Sequence, residues 1–504
     1  MEILQNIAMG FQTVLEPLNL LLCFLGVLTG TLVGVLPGLG PVAAMSLLLP
    51  TTFYVTPVSG IIMLAGIYYG AMYGGSTTSI LVNIPGEAAS VVTCLDGYQM
   101  ARQGRAGPAL GIAAFASFIA GTLATLGLML IAPPLSRMAL KFGSPEYFAL
   151  IFLGLTTVTY LASGPMWKSL MMAAVGLFLG CIGMDVAIGA SRFTFGIIEL
   201  YDGVGIVPVA MGLFGIAEVL LNVEQSMDRT VFTSKIRGLF PTSRDWAVSM
   251  PSILRGSVLG FLLGVLPGAG PLIASFAAYA VEKRISKESA AFGTGMIQGV
   301  AGPEAANNSA TGGAFVPLLT LGIPPNAVMA LLLGALIIFG VQPGPRLVVE
   351  HPQLFWGVIA SMYIGNIMLL ILNLPLIGIW IQILKVPYPI LFPLILLFCV
   401  IGSYSLNNSI TEVFIMILFG ILGYFLRKLE FEPAPLILAL VLGPMLELNF
   451  RQSLAMGDGR LLFFVERPIS AIILGIALLL LIMPIVRGNL SSKAKTGELS
   501  GPPS

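Results

Sequence analysis

Residues 301–329 read AGPEAANNSATGGAFVPLLTLGIPPNAVM, a polar, breaker-rich stretch inside a chain of long apolar runs. Glu304, Asn307, Asn308, Ser309 and Thr311 crowd its first part. Gly312, Gly313 and Pro317 follow, and Gly322-Ile323-Pro324-Pro325 closes it. Unpaired backbone groups are too costly in hydrocarbon for such a segment to face lipid, so it must be buried in protein or line a watery cavity. The stretch therefore reads as a broken, partly unwound helix at membrane depth, whose free N–H and C=O ends hold ions and anions. It is half of a binding site, and the other half must lie elsewhere in the chain.

Of the 504 residues, 57% are hydrophobic and only 9% are charged, against about 25% charged in a soluble domain. Many apolar runs reach the roughly 20 residues that a spanning helix needs. The chain is therefore expected to be an all-α polytopic membrane protein in a lipid bilayer. About 12 transmembrane helices are expected, with re-entrant hairpins where runs are short or interrupted. A net charge of +1 argues against nucleic acid as a partner. No Lys or Arg precedes the first apolar run, so that run is expected to be retained rather than cleaved as a signal peptide.

The second half of the site is found by repetition. GVLPGLGP at 34–41 and GVLPGAGP at 264–271 differ only at Leu39 and Ala269, and Gly30 then aligns with Gly260. GGSTTSILVNIPG (74–86) parallels GGAFVPLLTLGIPP (312–325), pairing Gly74-Gly75 with Gly312-Gly313 and Ile84-Pro85 with Ile323-Pro324. With Gly107-Pro108 paralleling Gly344-Pro345, three matches in the same order predict two related halves, 1–222 and 252–486. Between them lies a polar connector, 223–251, and a polar tail, 487–504, is expected to be disordered. The first 101 residues lack Lys and Arg, whereas Arg237, Arg244 and Arg255 precede the second break and Lys283, Arg284 and Lys287 follow it. Cytoplasmic loops gather Lys and Arg, so the two copies are expected to open to opposite faces, as inverted repeats.

The motifs define the candidate site. Pro ends a helix and Gly permits a tight turn, so each LPGxGP break presents N–H groups at a helix start, where an anion is favoured. Hydroxyls and amides add hydrogen bonds and cation ligands. The substrate-binding candidates are Gly38, Gly40, Thr77, Thr78, Asn83 and Gly86 in the first half, and Gly268, Gly270, Asn307, Asn308, Ser309 and Thr311 in the second. Asn307, Asn308 and Glu304 could also ligate sodium, a hard cation that prefers oxygen. The remaining acids, among them Asp185, Glu218, Glu412 and Glu447, read as solvated or paired with Arg. With no acid–His chain for a proton relay, sodium coupling is favoured. Cys23, Cys94, Cys181 and Cys399 are isolated, and His351 is the lone histidine. No Walker, HExxH or GxSxG motif occurs. No catalytic residues are expected, no cofactor beyond a coupling ion, and no enzyme activity.

These residues resemble the large membrane subunit of the tripartite tricarboxylate transporters, the TctA family. The matching segments are GTLVGVLPGLGP (30–41), YGGSTTSILVNIPGEAASVVTCLDGYQMARQGRAG (73–107), RFTFG (192–196), GVLPGAGP (264–271), GVAGPEAANNSATGGAFVPLLTLGIPP (299–325) and LGYFLRK (422–428). The resemblance implies a multi-pass protein of the bacterial inner membrane with an elevator-like mechanism. It implies two protein partners, a small four-helix membrane subunit and a periplasmic solute-binding protein. The substrate would be a tricarboxylate or related organic carboxylate, driven by an ion gradient rather than ATP. A stand-alone channel of similar double-hairpin fold is the alternative. One departure is visible: the family usually has Gly where this chain has Pro325, and a proline there offers no N–H to a carboxylate.

Overall fold

A computed structural model describes residues 2–36, 40–162, 164–185, 188–224, 238–384, 386 and 388–497. The chain forms two compact units. One comprises Met1–Leu140 with Val204–Leu429, and the other Lys141–Gly203 with Glu430–Ser504. Among the described residues nine helices are long and apolar enough to cross a membrane, joined by shorter apolar helices such as Pro41–Thr52 and Ala327–Ile338. The count is lower than the twelve expected because breakers divide single apolar runs. Residues 18–50 become one long and one short helix, and 313–340 become two short ones.

In the first unit the relevant helices are α1 (Pro17–Val35), α2 (Pro41–Thr52), α3 (Pro57–Val82), α4 (Ala106–Ala139), α5 (Ser243–Val265), α6 (Gly270–Ile285), α7 (Gln298–Gly313), α8 (Phe315–Leu321) and α9 (Ala327–Ile338). Their ends follow from local chemistry. α3 starts on Thr56, whose hydroxyl accepts from the Ser59 N–H, and ends on Asn83 in the left-handed region. Thr242 and Asp245 cap α5 reciprocally, and α8 ends on left-handed Gly322.

Glycine sets how close the helices come. A Cβ at Gly26, Gly30 or Gly34 of α1 would overlap the carbonyl oxygen of Met63, Ile67 or Ala71 of α3. One at Gly256, Gly260 or Gly264 of α5 would overlap that of Gly302, Ala306 or Ala310 of α7. Lipid gives no hydrophobic reward for helix association, so backbone proximity of this kind is what holds membrane helices together. The two helix pairs are built alike, residue for residue. Gly74 meets the Thr31 carbonyl as Gly313 meets that of Phe261. This moves the alignment of the second motif by one residue. Gly74 corresponds to Gly313 rather than Gly312, and the left-handed Asn83 to the left-handed Gly322.

One expectation is overturned. Residues 301–313 are not unwound: they lie in α7, a continuous helix buried along nearly its whole length. Surrounding protein takes up the polar side chains, so the backbone has no reason to open. The breaks fall later, at Ala314 and at Gly322–Pro325.

The second unit holds helices Ser144–Leu161, Met166–Gly180, Ala434–Met456 and Pro468–Gly497. The last helix runs through residues 487–497, where the sequence suggests a disordered tail. Arg467 forks onto Glu146 at 2.8 and 3.1 Å. Arg192 and Arg451 hold Asp185 and Glu447. A two-residue antiparallel pairing, Gly183↔Arg192 and Met184↔Ser191, is a small exception to the helical fold. Residues 225–237 of the polar connector, Arg237 included, lie outside the described residues.

Candidate functional site

Each interrupted hairpin docks on the Ile-Pro turn of its own half. In the first, the Thr78 hydroxyl donates to the Val35 carbonyl at 2.6 Å, and a Cβ on buried Gly86 would overlap the Gly34 carbonyl oxygen. In the second, Gly268, with φ +81°, donates its N–H to the Pro325 carbonyl at 2.8 Å. Pro325 lacks an N–H, and the structure uses its C=O instead. Gly40 precedes α2 and Gly270 opens α6, and among the described residues a Cβ at either would meet no atom within 4 Å beyond its own chain neighbours and helix backbone. Space therefore remains before both helix starts, where backbone N–H groups and the helix dipole favour an anion. Gly38 lies outside the described residues. Asn83 is exposed at the end of α3.

The two halves meet through polar side chains. On α7, Glu304 accepts the Ser76 hydroxyl of α3 at 2.6 Å and the Thr93 hydroxyl. Asn307 approaches Glu87, Nδ2 to Oε1 at 3.4 Å, and its Oδ1 has no partner. Asn308 donates to Ser117 of α4 at 2.7 Å and to the Glu304 carbonyl. Asn326 donates to the Tyr68 hydroxyl of α3 at 3.0 Å. Two candidates face elsewhere: Ser309 donates to the Ser257 carbonyl of α5, and Thr311 to the Asn307 carbonyl.

Beside this junction lies a narrow cleft of about 10 Å³, lined by Tyr73, Ser76, Thr77, Leu110, Ala113, Ala114, Ser117 and Asn373. Its polar wall is continuous with the junction, because Ser76 holds Glu304 and Ser117 holds Asn308. Tyr73 also donates to Asn366 at 2.7 Å. Neither Glu87 nor Glu304 has a Lys or Arg ion-pair partner among the described residues, so hydroxyl, amide and N–H groups do all the solvating.

Sequence reasoning missed Glu87, Ser76, Thr93 and Ser117. Each sits in an apolar run or a loop, where its type alone says little. It also missed Asp96, whose Oδ1 accepts the N–H groups of Gly293, Gly295 and Met296 while Oδ2 accepts the Tyr279 hydroxyl. This carboxylate fastens the first half to the loop that feeds α7. Among the described residues no three His, Cys, Asp or Glu converge as a metal site.

The model of the family described as "Tripartite tricarboxylate transporter TctA family" matches residues 20–438. An Agrobacterium vitis protein described as "Uncharacterized 52.8 kDa protein in TAR-I ttuC' 3'region" is 51% identical over 495 residues, covering 98% of this chain and 99% of its own. A second, "Uncharacterized protein in TAR-II ttuC' 3'region", is 53% identical over 227 residues, covering 45% of this chain and 94% of its own. No solved structure matches the chain.

Proposed function

The chain belongs to the tripartite tricarboxylate transporter TctA family, and from that premise we propose that it is the large permease subunit of a binding-protein-dependent secondary importer of tricarboxylates or related organic carboxylates. In this reading a periplasmic solute-binding protein hands over the anion, and a small membrane subunit completes the complex. The carboxylate enters along the polar wall of α3 and α4, where the narrow cleft widens to admit it. It meets the starts of α2 and α6, where Gly40 and Gly270 leave room for it. A sodium gradient drives uptake.

The observation that carries this reading is the cross-junction. Two helix pairs packed alike by glycine bring Glu304, Asn307 and Asn308 of one half onto Ser76, Glu87 and Ser117 of the other. Anions and ions need such partners, and buried polar groups in a membrane protein are retained for function. The contacts also fit the inverted-repeat, elevator-like plan, in which the paired hairpins carry the cargo together.

Reconstituted uptake tests it. Proteoliposomes with the small subunit and the cognate binding protein should accumulate radiolabelled carboxylate saturably, and only with an inward sodium gradient. Uptake that needs no binding protein and does not saturate would point to a channel. Asn308→Ala should abolish uptake yet leave membrane insertion intact, because its amide positions Ser117 on the cleft wall. Normal uptake in that variant would remove Asn308 from the site.

A further inference from the structure

The residue after each Ile-Pro turn reaches across the junction to the other half, and the exchange is uneven. Asn326 and Glu87 hold matching positions after the two Ile-Pro turns, and both are helix caps. Asn326 accepts from the Met329 N–H, and Glu87 from the Ala89 N–H. Each reaches the opposite half at matching helix positions: Asn326 touches Tyr68 of α3, and Glu87 touches Asn307 of α7. The Asn326–Tyr68 contact is a neutral hydrogen bond of 3.0 Å.

Glu87–Asn307 is different in kind. Glu87 is 6% exposed and Asn307 1%. Among the described residues, the Oε1 of Glu87 has only the 3.4 Å contact and Oδ1 of Asn307 has no partner. Glu304, one turn earlier on α7, brings a second buried carboxyl group to the same junction. Two buried carboxyl groups this close to each other do not stay ionised unless a positive charge, a proton or a bound cation, joins them. None of the ion pairs formed by Lys or Arg among the described residues reaches them.

We propose that the Glu87–Asn307 junction is the coupling-ion site, binding a monovalent alkali cation between Glu87 Oε1 and Asn307 Oδ1, the Asn307 amide turning over so that Oδ1 replaces Nδ2 beside the carboxylate. This deepens the transport reading and rests on it. Hard cations prefer carboxylate and amide oxygens. Each half contributes one ligand, so the ion joins the halves where their hydrogen bonding is weakest. The neutral Tyr68–Asn326 pair holds the matching position without an ion.

The experiment uses the purified full-length chain in detergent with ²²Na⁺ as probe. Thermal unfolding is measured in parallel in sodium chloride and in choline chloride. The wild type should bind ²²Na⁺ saturably and melt higher in sodium. Loss of even an outer-shell partner weakens metal binding by roughly 10–100-fold, so Glu87→Gln and Asn307→Ala should each weaken it at least about tenfold. Asn307→Asp, which keeps the oxygen, should retain binding, and Tyr68→Phe should leave it unchanged. Gln at 87 still accepts the Ala89 N–H, and melting in choline reports folding separately. Two results would overturn the site: no sodium dependence in the wild type, or wild-type affinity in both Glu87→Gln and Asn307→Ala. Carboxylate uptake driven by a proton gradient and lost in Glu87→Gln would assign the junction to a proton and overturn the alkali ion. A wild type that transports carboxylate without binding sodium loses only the ion site. One that binds sodium but moves no carboxylate loses the transport reading instead.

Discussion

The two helix pairs, α1 with α3 and α5 with α7, share a skeleton and differ in chemistry. Glycines stand against carbonyl oxygens at the same steps in both. On that common frame α3 carries Ala65, Tyr68 and Tyr69, whereas α7 carries Glu304, Asn307 and Asn308 at the corresponding places. The hairpin legs differ too. Arg255 forks onto Glu282 at 2.8 and 2.7 Å, and Ser252 adds a third bond to the same carboxylate. Leu25 stands in the first hairpin where Arg255 stands in the second. Backbone packing tolerates almost no substitution, because its partners are main-chain atoms that cannot move aside. Side chains facing the opposite half are free to diverge. A duplicated scaffold can thus keep its shape while one copy gains charge and the other remains apolar or neutral.

Four substitutions probe that comparison. The largest effect is expected from Gly34→Leu and Gly264→Leu, each of which forces a branched side chain into a carbonyl. Both should destabilise by more than about 3 kcal/mol and abolish the monodisperse peak in detergent gel filtration. A normal profile for one but not the other would end the equivalence of the halves. Glu282→Gln comes next. It weakens a fork present only in the second hairpin, but Arg255 is 42% exposed and can rehydrate, so the cost should be about 1–2 kcal/mol. Differential scanning fluorimetry should show a modest fall in melting temperature, and no fall would mean the fork adds nothing. The smallest effect is Tyr68→Phe, which removes one hydrogen bond worth about 1 kcal/mol. It should lower the melting temperature slightly and preserve uptake. Lost uptake would place Tyr68 in the transport chemistry and erase the contrast with Asn307.

The membrane class was legible because apolar run length is a direct physical requirement. The repeated break was legible because Pro and Gly cannot be exchanged for ordinary residues without changing the backbone. The register of the second motif was not. Gly312-Gly313 looks like Gly74-Gly75, but only contact with the Thr31 and Phe261 carbonyls shows which glycine corresponds to which. The polar run at 301–311 was misread as unwound because sequence cannot show that protein surrounds a helix on every side. Glu87 was missed because a carboxylate after Pro-Gly looks like a solvated loop residue, and nothing local says that Gly75 leaves room for it beside α3. Asp96 was missed for the same reason: its four partners lie almost two hundred residues away.

Asp96 has a bearing on motion. A side chain gripping three amides and a phenol is a rivet, not a hinge. Bending at 293–296 would strip three bonds from one carboxylate at once. Any stroke that ferries cargo must therefore take its flexibility from other joints, and the segment leading into α7 travels as a passenger with the helix Val91–Met100 that bears the acid.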